Sequence, residues 1–383
     1  MSDSTSNRRR FLRQGLALPF AGGLLSNPLS SQPATELSNG VAPANGKKLL
    51  ILGGTKFLGP ATVRLAQKLG YEITLFNRGK SNPDLFKGQV ESLRGDRDSG
   101  DLKALKGRKW DLVIDTSGYV PEHVKQSAEL LAPNVGHYVF ISTLSVYRQA
   151  FGQDVNEQSP VETIDPKEAA KITTIKGVFK NMMAYGPLKA LCEQAAEKAM
   201  PGRVTNLRPG VIVGRDDPTD RFLYWAIRVA QGGEVLCPGN PNAAVQFTDV
   251  RDIAKFALDF GAQRTAGVFN AQGFDGIVTM QELLHGCKIV LGAKASFTWV
   301  PDEFLLQQKV RPFVELPFWL PKKYNMVFNN QKGIAAGMKF RPIGESILEA
   351  VAWHHEVRDE NYKWGTYGMK PEREKKVLAA FSK

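Results

Sequence analysis

The chain has 383 residues, 43% of them hydrophobic and 23% charged, with three cysteines and a formal net charge of +12. A chain this long buries roughly three quarters of its unfolded surface without disulfides, and length alone suggests about two to three domains, or one large one with an annex. The composition excludes a disordered or collagen-like chain. Cys192, Cys237 and Cys287 form no C-x-x-C pair, which argues against a zinc cluster or a disulfide scaffold, and no metal site is expected. Beyond the extreme N-terminus no stretch approaches the ~20 apolar residues of a bilayer span, which excludes a multi-span membrane protein. The basic residues are spread out, densest at Arg8-Arg9-Arg10 and Lys375-Lys376. They read as a generally basic surface rather than a polyanion groove.

Residues 1–46 read as an address and a linker. Arg8-Arg9-Arg10-Phe11-Leu12-Arg13 precedes a short, modestly apolar run from Gly15 to Leu25, a pattern that resembles a twin-arginine export signal. A basic tail is the alternative. Residues 26–46, rich in Ser, Pro, Asn, Ala and Gly, read as a flexible linker. The expected location is the periplasm, and the export machinery is an expected partner.

A folded region begins at Lys47. Lys48–Leu52 is a short apolar run, read as a buried parallel strand. It meets Gly53-Gly54-Thr55-Lys56-Phe57-Leu58-Gly59. An amphipathic helix over 60–69 and a second strand over 72–76 follow. Strand, glycine turn, helix and strand within ~30 residues make a βαβ unit, in which glycines let the backbone approach a pyrophosphate at the positive end of a helix. The alternation continues with strands at 110–115, 137–142 and 204–208 and a helix over 122–131. The expected fold class is therefore α/β: a Rossmann-type doubly wound parallel sheet with helices on both faces and a smaller C-terminal substrate-binding part. The expected boundaries are a dinucleotide-binding domain over 47–215, completed by about 245–275; a substrate part over 216–244 and 276–365; and a C-terminal tail over 366–383.

Four segments then resemble the extended short-chain dehydrogenase/reductases, the group of nucleotide-sugar epimerases and dehydratases: Gly53 to Gly59, Phe140 to Tyr147, Tyr185 to Glu193 and Leu207 to Gly214. A fifth, Val245 to Ala254, resembles that family's late strand-helix step. The coverage runs from about 47 to 360. Two departures stand out. Lys56 replaces the middle glycine of the turn, as in an atypical subgroup that includes chloroplast stem-loop-binding proteins; it either lies near the phosphates or is a solvated lysine. The second strand ends in Asn77-Arg78-Gly79-Lys80 without the carboxylate that binds a ribose 2′-hydroxyl. A cationic pair there favours NADP over NAD, unless Arg78 stacks on adenine. Asp96 resembles the family aspartate near the adenine amine; a plain loop aspartate is the alternative. The resemblance thus implies cofactor contacts from Gly53, Thr55, Lys56, Phe57, Leu58, Gly59, Asn77, Arg78, Asp96 and Lys189, with NAD(P) tightly held.

Tyr185 and Lys189 stand four apart, on one helical face. A phenol of pKa near 10 is a poor base, and a neighbouring ammonium would favour the phenolate. Counting back from Tyr147, the resemblance makes Thr143 the ligand of the substrate oxygen, with Ser142 and Ser145 as runners-up. Asn181 either orients the lysine through water or belongs to a polar helix face. The long interval between Thr143 and Tyr185 implies an insertion over about 149–183, either a lid or a surface excursion. Trp225, Phe313, Phe318 and Trp319 either line the substrate or pack a core. The implied activity is an NAD(P)-dependent epimerase or dehydratase acting on a sugar-like substrate by transient hydride transfer. The alternatives are an NADP-dependent reductase and an RNA-binding protein; nucleic acid is the less expected partner. A homodimer is an analogy from the same family.

Overall fold

The computed structural model describes residues 43–147, 154–322, 327–358 and 367–383. The export signal expected at Arg8 to Leu25 lies outside the described residues. Seven strands form the central sheet: β1 (Lys48–Leu52), β2 (Glu72–Asn77), β3 (Glu91–Arg94), β4 (Trp110–Asp115), β5 (Val135–Ile141), β6 (Val204–Pro209) and β7 (Gly267–Ala271). Their order is β7-β6-β5-β4-β1-β2-β3, and every pairing is parallel. This is the doubly wound sheet expected from the alternation of short apolar runs with helices. Leu49, Leu50, Ile51 and Leu52 are all fully buried, so β1 needs cover on both faces and reads as a continuous apolar run.

The longer helices among the described residues are α1 (Leu58–Lys68), α2 (Pro121–Leu131), α3 (Met182–Ala199), α4 (Arg221–Ala230), α5 (Val250–Gln263), α6 (Met280–Val290), α7 (Ile343–Val357) and α8 (Pro371–Phe381), and the cover comes from α1, α2, α3 and α5. Val63 and Ala66 of α1 and Ile253, Ala257 and Phe260 of α5 close one face of the sheet. Val124 and Ala128 of α2 and Cys192 and Ala196 of α3 close the other. The strand order reverses between β1 and β4, and in such sheets ligands bind at the carboxyl ends beside that reversal.

A third core lies toward the C-terminus. It joins α4, α6, α7 and α8 to a pair of parallel strands, Gly233–Pro238 and Ala295–Val300. Trp225, Phe318 and Trp319 are buried in it: the Trp225 indole donates to the Pro317 carbonyl and the Trp319 indole to Asp302. Phe313 packs partly buried at its edge, beneath the Arg221 guanidinium. The segment read as a C-terminal tail contains α8, whose Val377 and Leu378 enter this core. Its charged sequence hid the reason. The Glu374 carboxylate is buried, pairs with Arg228 at 2.6 Å and accepts the Leu236 amide at 2.9 Å.

One buried ion pair organises the sheet's reversal point. Asp115 ends β4 and is fully buried; the Arg97 guanidinium, brought in by the loop after β3, bonds both its oxygens at 2.7 and 3.0 Å. The Tyr138 hydroxyl and the Ser117 amide also donate to it. Breaking one partner of such a pair leaves an uncompensated buried charge. Asp115→Ala should therefore lower unfolding stability by about 3–5 kcal/mol in urea at neutral pH. Arg97→Met with Asp115→Leu should lower it less than either single change. A double variant as unstable as the sum of the singles would contradict the pairing.

Candidate functional site

The turn after β1 is shaped by a close approach of two backbones. A Cβ on Gly59 would stand 2.5 Å from the Gly54 carbonyl carbon and 2.6 Å from its Cα. Only a glycine lets the first turn of α1 press onto the end of β1. Phe57, at the N-cap of α1, has φ 48° and ψ −101°, a conformation uncommon for a side chain of its size. Thr55 and Leu58 are buried and Lys56 is exposed. Two amide side chains hold the turn from outside: Asn77 donates to the Gly53 carbonyl at 3.1 Å and Asn82 to the Thr55 carbonyl at 3.0 Å. The result is a glycine cradle at a helix N-terminus, whose amides have no partners within the helix. It fits the pyrophosphate of a dinucleotide.

At the end of β2, Arg78 pairs with Asp98 at 3.2 Å. Arg94, at the end of β3, donates to the Asn77 amide oxygen at 2.6 Å. Asp96 caps its own loop, its carboxylate accepting the Asp98 amide at 3.0 Å. The sequence reading did not single out Arg94, Arg97, Asp98, Asp115 or Tyr119. Asp115 left a faint signal, a carboxylate closing an otherwise apolar strand. The other four look like ordinary loop and strand-end residues until β2, β3 and β4 are paired.

The other half of the cleft edge is built from β5 and α3. Thr143 is buried after β5, and its Oγ1 accepts the Ser145 amide at 3.1 Å, capping a short turn. Gly186 presses on that turn: a Cβ there would overlap the Ser145 carbonyl oxygen. This contact places Tyr185, one residue earlier, with its hydroxyl beside the Thr143 side chain, whose Oγ1 donates to the Ser145 hydroxyl at 3.2 Å. Ser142 is committed elsewhere. Its hydroxyl donates to Glu193, which also holds the Arg208 guanidinium at 2.6 and 2.9 Å. Asn181 is exposed at the start of α3 and its side chain caps nothing.

Burial raises the Tyr185 pKa well above the ordinary phenol value, the neighbouring Tyr119 adds to this, and the nearby Thr143 hydroxyl opposes it. At neutral pH Tyr185 is a phenol. Lys189 lies one turn further along α3 and is 2% exposed. Its ammonium donates to the carbonyls of Gly118 and Ile141, both at 2.6 Å, and lies 4.0 Å from the Phe140 ring centre. Lys189 therefore ties together the ends of β4 and β5 beside the tyrosine. Burial pushes its pKa down to about 8.

The insertion packs over the start of α2 and the start of α3. Short helices at Pro166–Ala170 and Ile175–Lys180 begin at Asp165 and Thr174, whose side chains cap them. Val178 is fully buried against Val120, Ala184 and Leu188. The Ile175 amide donates to Asp98 at 3.2 Å. Phe179, half exposed, packs 5.1 Å from the Tyr119 ring and 6.5 Å from that of Tyr185. Residues 148–153 lie outside the described residues.

A depressed lysine pKa has a sign that can be checked. Between about pH 8 and ~10.4 the unfolded chain carries a proton at Lys189 that the folded chain has lost, so folding gains stability as pH rises through this window. Unfolding measurements of the native protein and of Lys189→Met should therefore diverge in favour of the native protein from about pH 8 upward. A difference that stays flat with pH would contradict the buried ammonium.

Comparison with known proteins places these features. Residues 49–271, more than half of the chain, match the model of the NAD dependent epimerase/dehydratase family. Bordetella bronchiseptica WbmH, solved with NAD+, is 14% identical, with a TM-score of 0.58 over 81% of this chain and 99% of that one. The UDP-Glc/GlcNAc 4-epimerase of Campylobacter jejuni is 18% identical, with a TM-score of 0.58 over 82% of this chain and 100% of that one. The chloroplast stem-loop binding protein of 41 kDa b of Arabidopsis thaliana is 26% identical over 265 residues, which cover 64% of each chain. The parallel sheet, the glycine cradle after its first strand and the family match agree: the chain belongs to the NAD dependent epimerase/dehydratase family.

Proposed function

We propose that the chain is a nicotinamide-dependent enzyme of the epimerase or dehydratase kind, acting on a sugar or nucleotide-sugar-like substrate by transient hydride transfer. The observation that carries this reading is the placing of the Tyr185 hydroxyl beside the Thr143 side chain at the carboxyl end of the same sheet that presents the Gly53–Gly59 cradle. The Bordetella bronchiseptica enzyme WbmG, 16% identical, was solved with NAD and UDP, which supports a nucleotide-sugar class. A bound nicotinamide would take up and return the hydride, and its oxidised form adds positive charge beside the phenol.

The chain's own residues do the rest. Tyr185 is the acid/base: buried, protonated at rest, and beside the Thr143 hydroxyl. Thr143 is the ligand of the reacting substrate oxygen. Two N–H donors of Lys189 are used by backbone carbonyls, and the third remains for the cofactor ribose or the phenolate. An enzyme that returns its hydride to the same substrate needs no pool of reduced cofactor. That suits work outside the cytoplasm, reached in folded form by the twin-arginine route that Arg8-Arg9-Arg10-Phe11-Leu12 resembles.

Tyr185→Phe removes only a hydroxyl, so folding and dinucleotide binding should survive while turnover of UDP-glucose, or of another member of a nucleotide-sugar panel, falls about 10²–10⁴-fold. Full activity in that variant would remove the mechanism. A second reading, RNA binding, rests on the stem-loop-binding relative and the net charge of +12. Tight, steeply salt-dependent RNA binding together with no nucleotide-sugar turnover would favour it. For location, changing Arg8, Arg9 and Arg10 together to lysine should hold the protein in the cytoplasm; continued delivery to the periplasm would rule against the signal.

A further inference from the structure

We infer that Phe179, Met182 and Met183 of the insertion and the start of α3 form a subsite for an apolar group attached to the sugar, so that the substrate is a glycoside with an apolar aglycone rather than a nucleotide sugar. The inference rests on the reading of Tyr185 as the acid/base and narrows the substrate class which that reading leaves open.

The chain entering α3 faces two ways. Val178 and Ala184 are buried in one cluster with Val120 and Leu188. Between them in sequence, Phe179, Met182 and Met183 are 50%, 58% and 92% exposed. The short helix Ile175–Lys180 ends at Asn181, whose φ of −122° and ψ of 77° break the helical path before α3 begins at Met182. One side of this corner is core. The other presents three large apolar side chains within five residues. A single apolar residue on a surface needs no explanation. Three together, beside the residue assigned to the reaction, mark a ligand groove.

Their place points to the occupant. The Phe179 ring lies 5.1 Å from the Tyr119 ring and 6.5 Å from the Tyr185 ring, within 23° of parallel to the latter. The apolar wall thus begins one ring away from the reacting hydroxyl and ends at Met183, which stands almost wholly in solvent. A sugar whose reacting carbon is at Tyr185 puts the group that follows its ring against this wall. In a nucleotide sugar that group is a diphosphate, which needs hydrogen-bond donors, and the side chains of Phe179, Met182 and Met183 have none. An aryl or alkyl aglycone needs only apolar area. An aromatic group stacks on a ring such as Phe179, and the unbranched methionine side chain adapts to groups of different shape.

The wall is held in place before any ligand arrives. Thr174 caps the helix that carries Phe179, Val178 anchors its inner side, and the Ile175 amide donates to Asp98 at 3.2 Å. A wall fixed in advance lowers the ordering cost of binding. The same helix carries Lys176 and Lys180, both exposed. These are the groups that a diphosphate at this place would use, which makes them the control.

The test is calorimetric titration of the full-length protein, saturated with NAD, with the methyl and phenyl glycosides of glucose, galactose, mannose and N-acetylglucosamine and with UDP-glucose and UDP-N-acetylglucosamine. For at least one sugar the phenyl glycoside should bind about tenfold more tightly than the methyl glycoside, and more tightly than either UDP-sugar. Phe179→Ser should remove that tenfold advantage and leave the methyl glycoside as it was. Phe179→Leu, apolar but not flat, should keep part of it, and Met183→Ser should reduce it by a smaller factor than Phe179→Ser. Lys176→Gln combined with Lys180→Gln should leave the phenyl glycoside unchanged. Phe179 is half exposed, so unchanged thermal unfolding of Phe179→Ser is the check that the fold is intact. Phenyl and methyl glycosides that bind alike, a UDP-sugar that binds more tightly than every phenyl glycoside, or a Phe179→Ser that weakens phenyl and methyl glycosides equally would each overturn the subsite. Failure of every sugar ligand to bind overturns the sugar-substrate reading instead, and the subsite with it.

Discussion

The site depends on how closely two helices approach the ends of two strands, and that distance is set by two missing Cβ atoms. At Gly59 the first turn of α1 touches the backbone of Gly54; at Gly186 the start of α3 touches the Ser145 carbonyl. Any side chain at either position would push its helix outward. The first contact makes the cradle after β1. The second brings the Tyr185 hydroxyl onto Thr143. Both lie at the carboxyl end of one parallel sheet, so the cradle and the Thr143–Tyr185 pair share an edge without sharing a segment of sequence.

Electrostatics then fixes what packing has brought together. The Arg97–Asp115 pair is buried where the strand order reverses, and a second buried pair, Arg208–Glu193, takes up the Ser142 hydroxyl. With Ser142 committed, Thr143 is the hydroxyl of that strand end that meets Tyr185. Lys189 spends two donors on strand-end carbonyls, which locks α3 to β4 and β5 and keeps its ammonium beside the tyrosine. The insertion joins the same arrangement from outside. Its Ile175 amide reaches Asp98, the partner of Arg78 beyond the end of β2, while its Phe179 ring packs against Tyr119 and Tyr185. One segment is thereby tied to both places.

Much of this was legible in the sequence because it is local. Apolar runs such as Leu49–Leu52, the glycine turn after them and the Tyr185–Lys189 spacing all carry their meaning within a few residues. What escaped is what pairing creates. Arg94 gains its place only when β3 lies beside β2, and Arg97 only when its loop folds back on Asp115. The segment over 366–383 read as a charged tail because the partner that justifies a buried Glu374, Arg228, lies far upstream. The aromatic residues between Trp225 and Trp319 show no periodicity from which core and cleft could be told apart, and the fold puts most of them in a core.

The central claim is that the Gly53–Gly59 cradle and the Thr143–Tyr185 pair serve one dinucleotide. A crystal structure grown with NADP tests it most directly. The account predicts the pyrophosphate over the first turn of α1 and the nicotinamide ring beside the Tyr185 hydroxyl, with Gly59 and Gly186 in their present contacts. A dinucleotide bound away from the cradle, or a nicotinamide ring placed far from Tyr185, would contradict it.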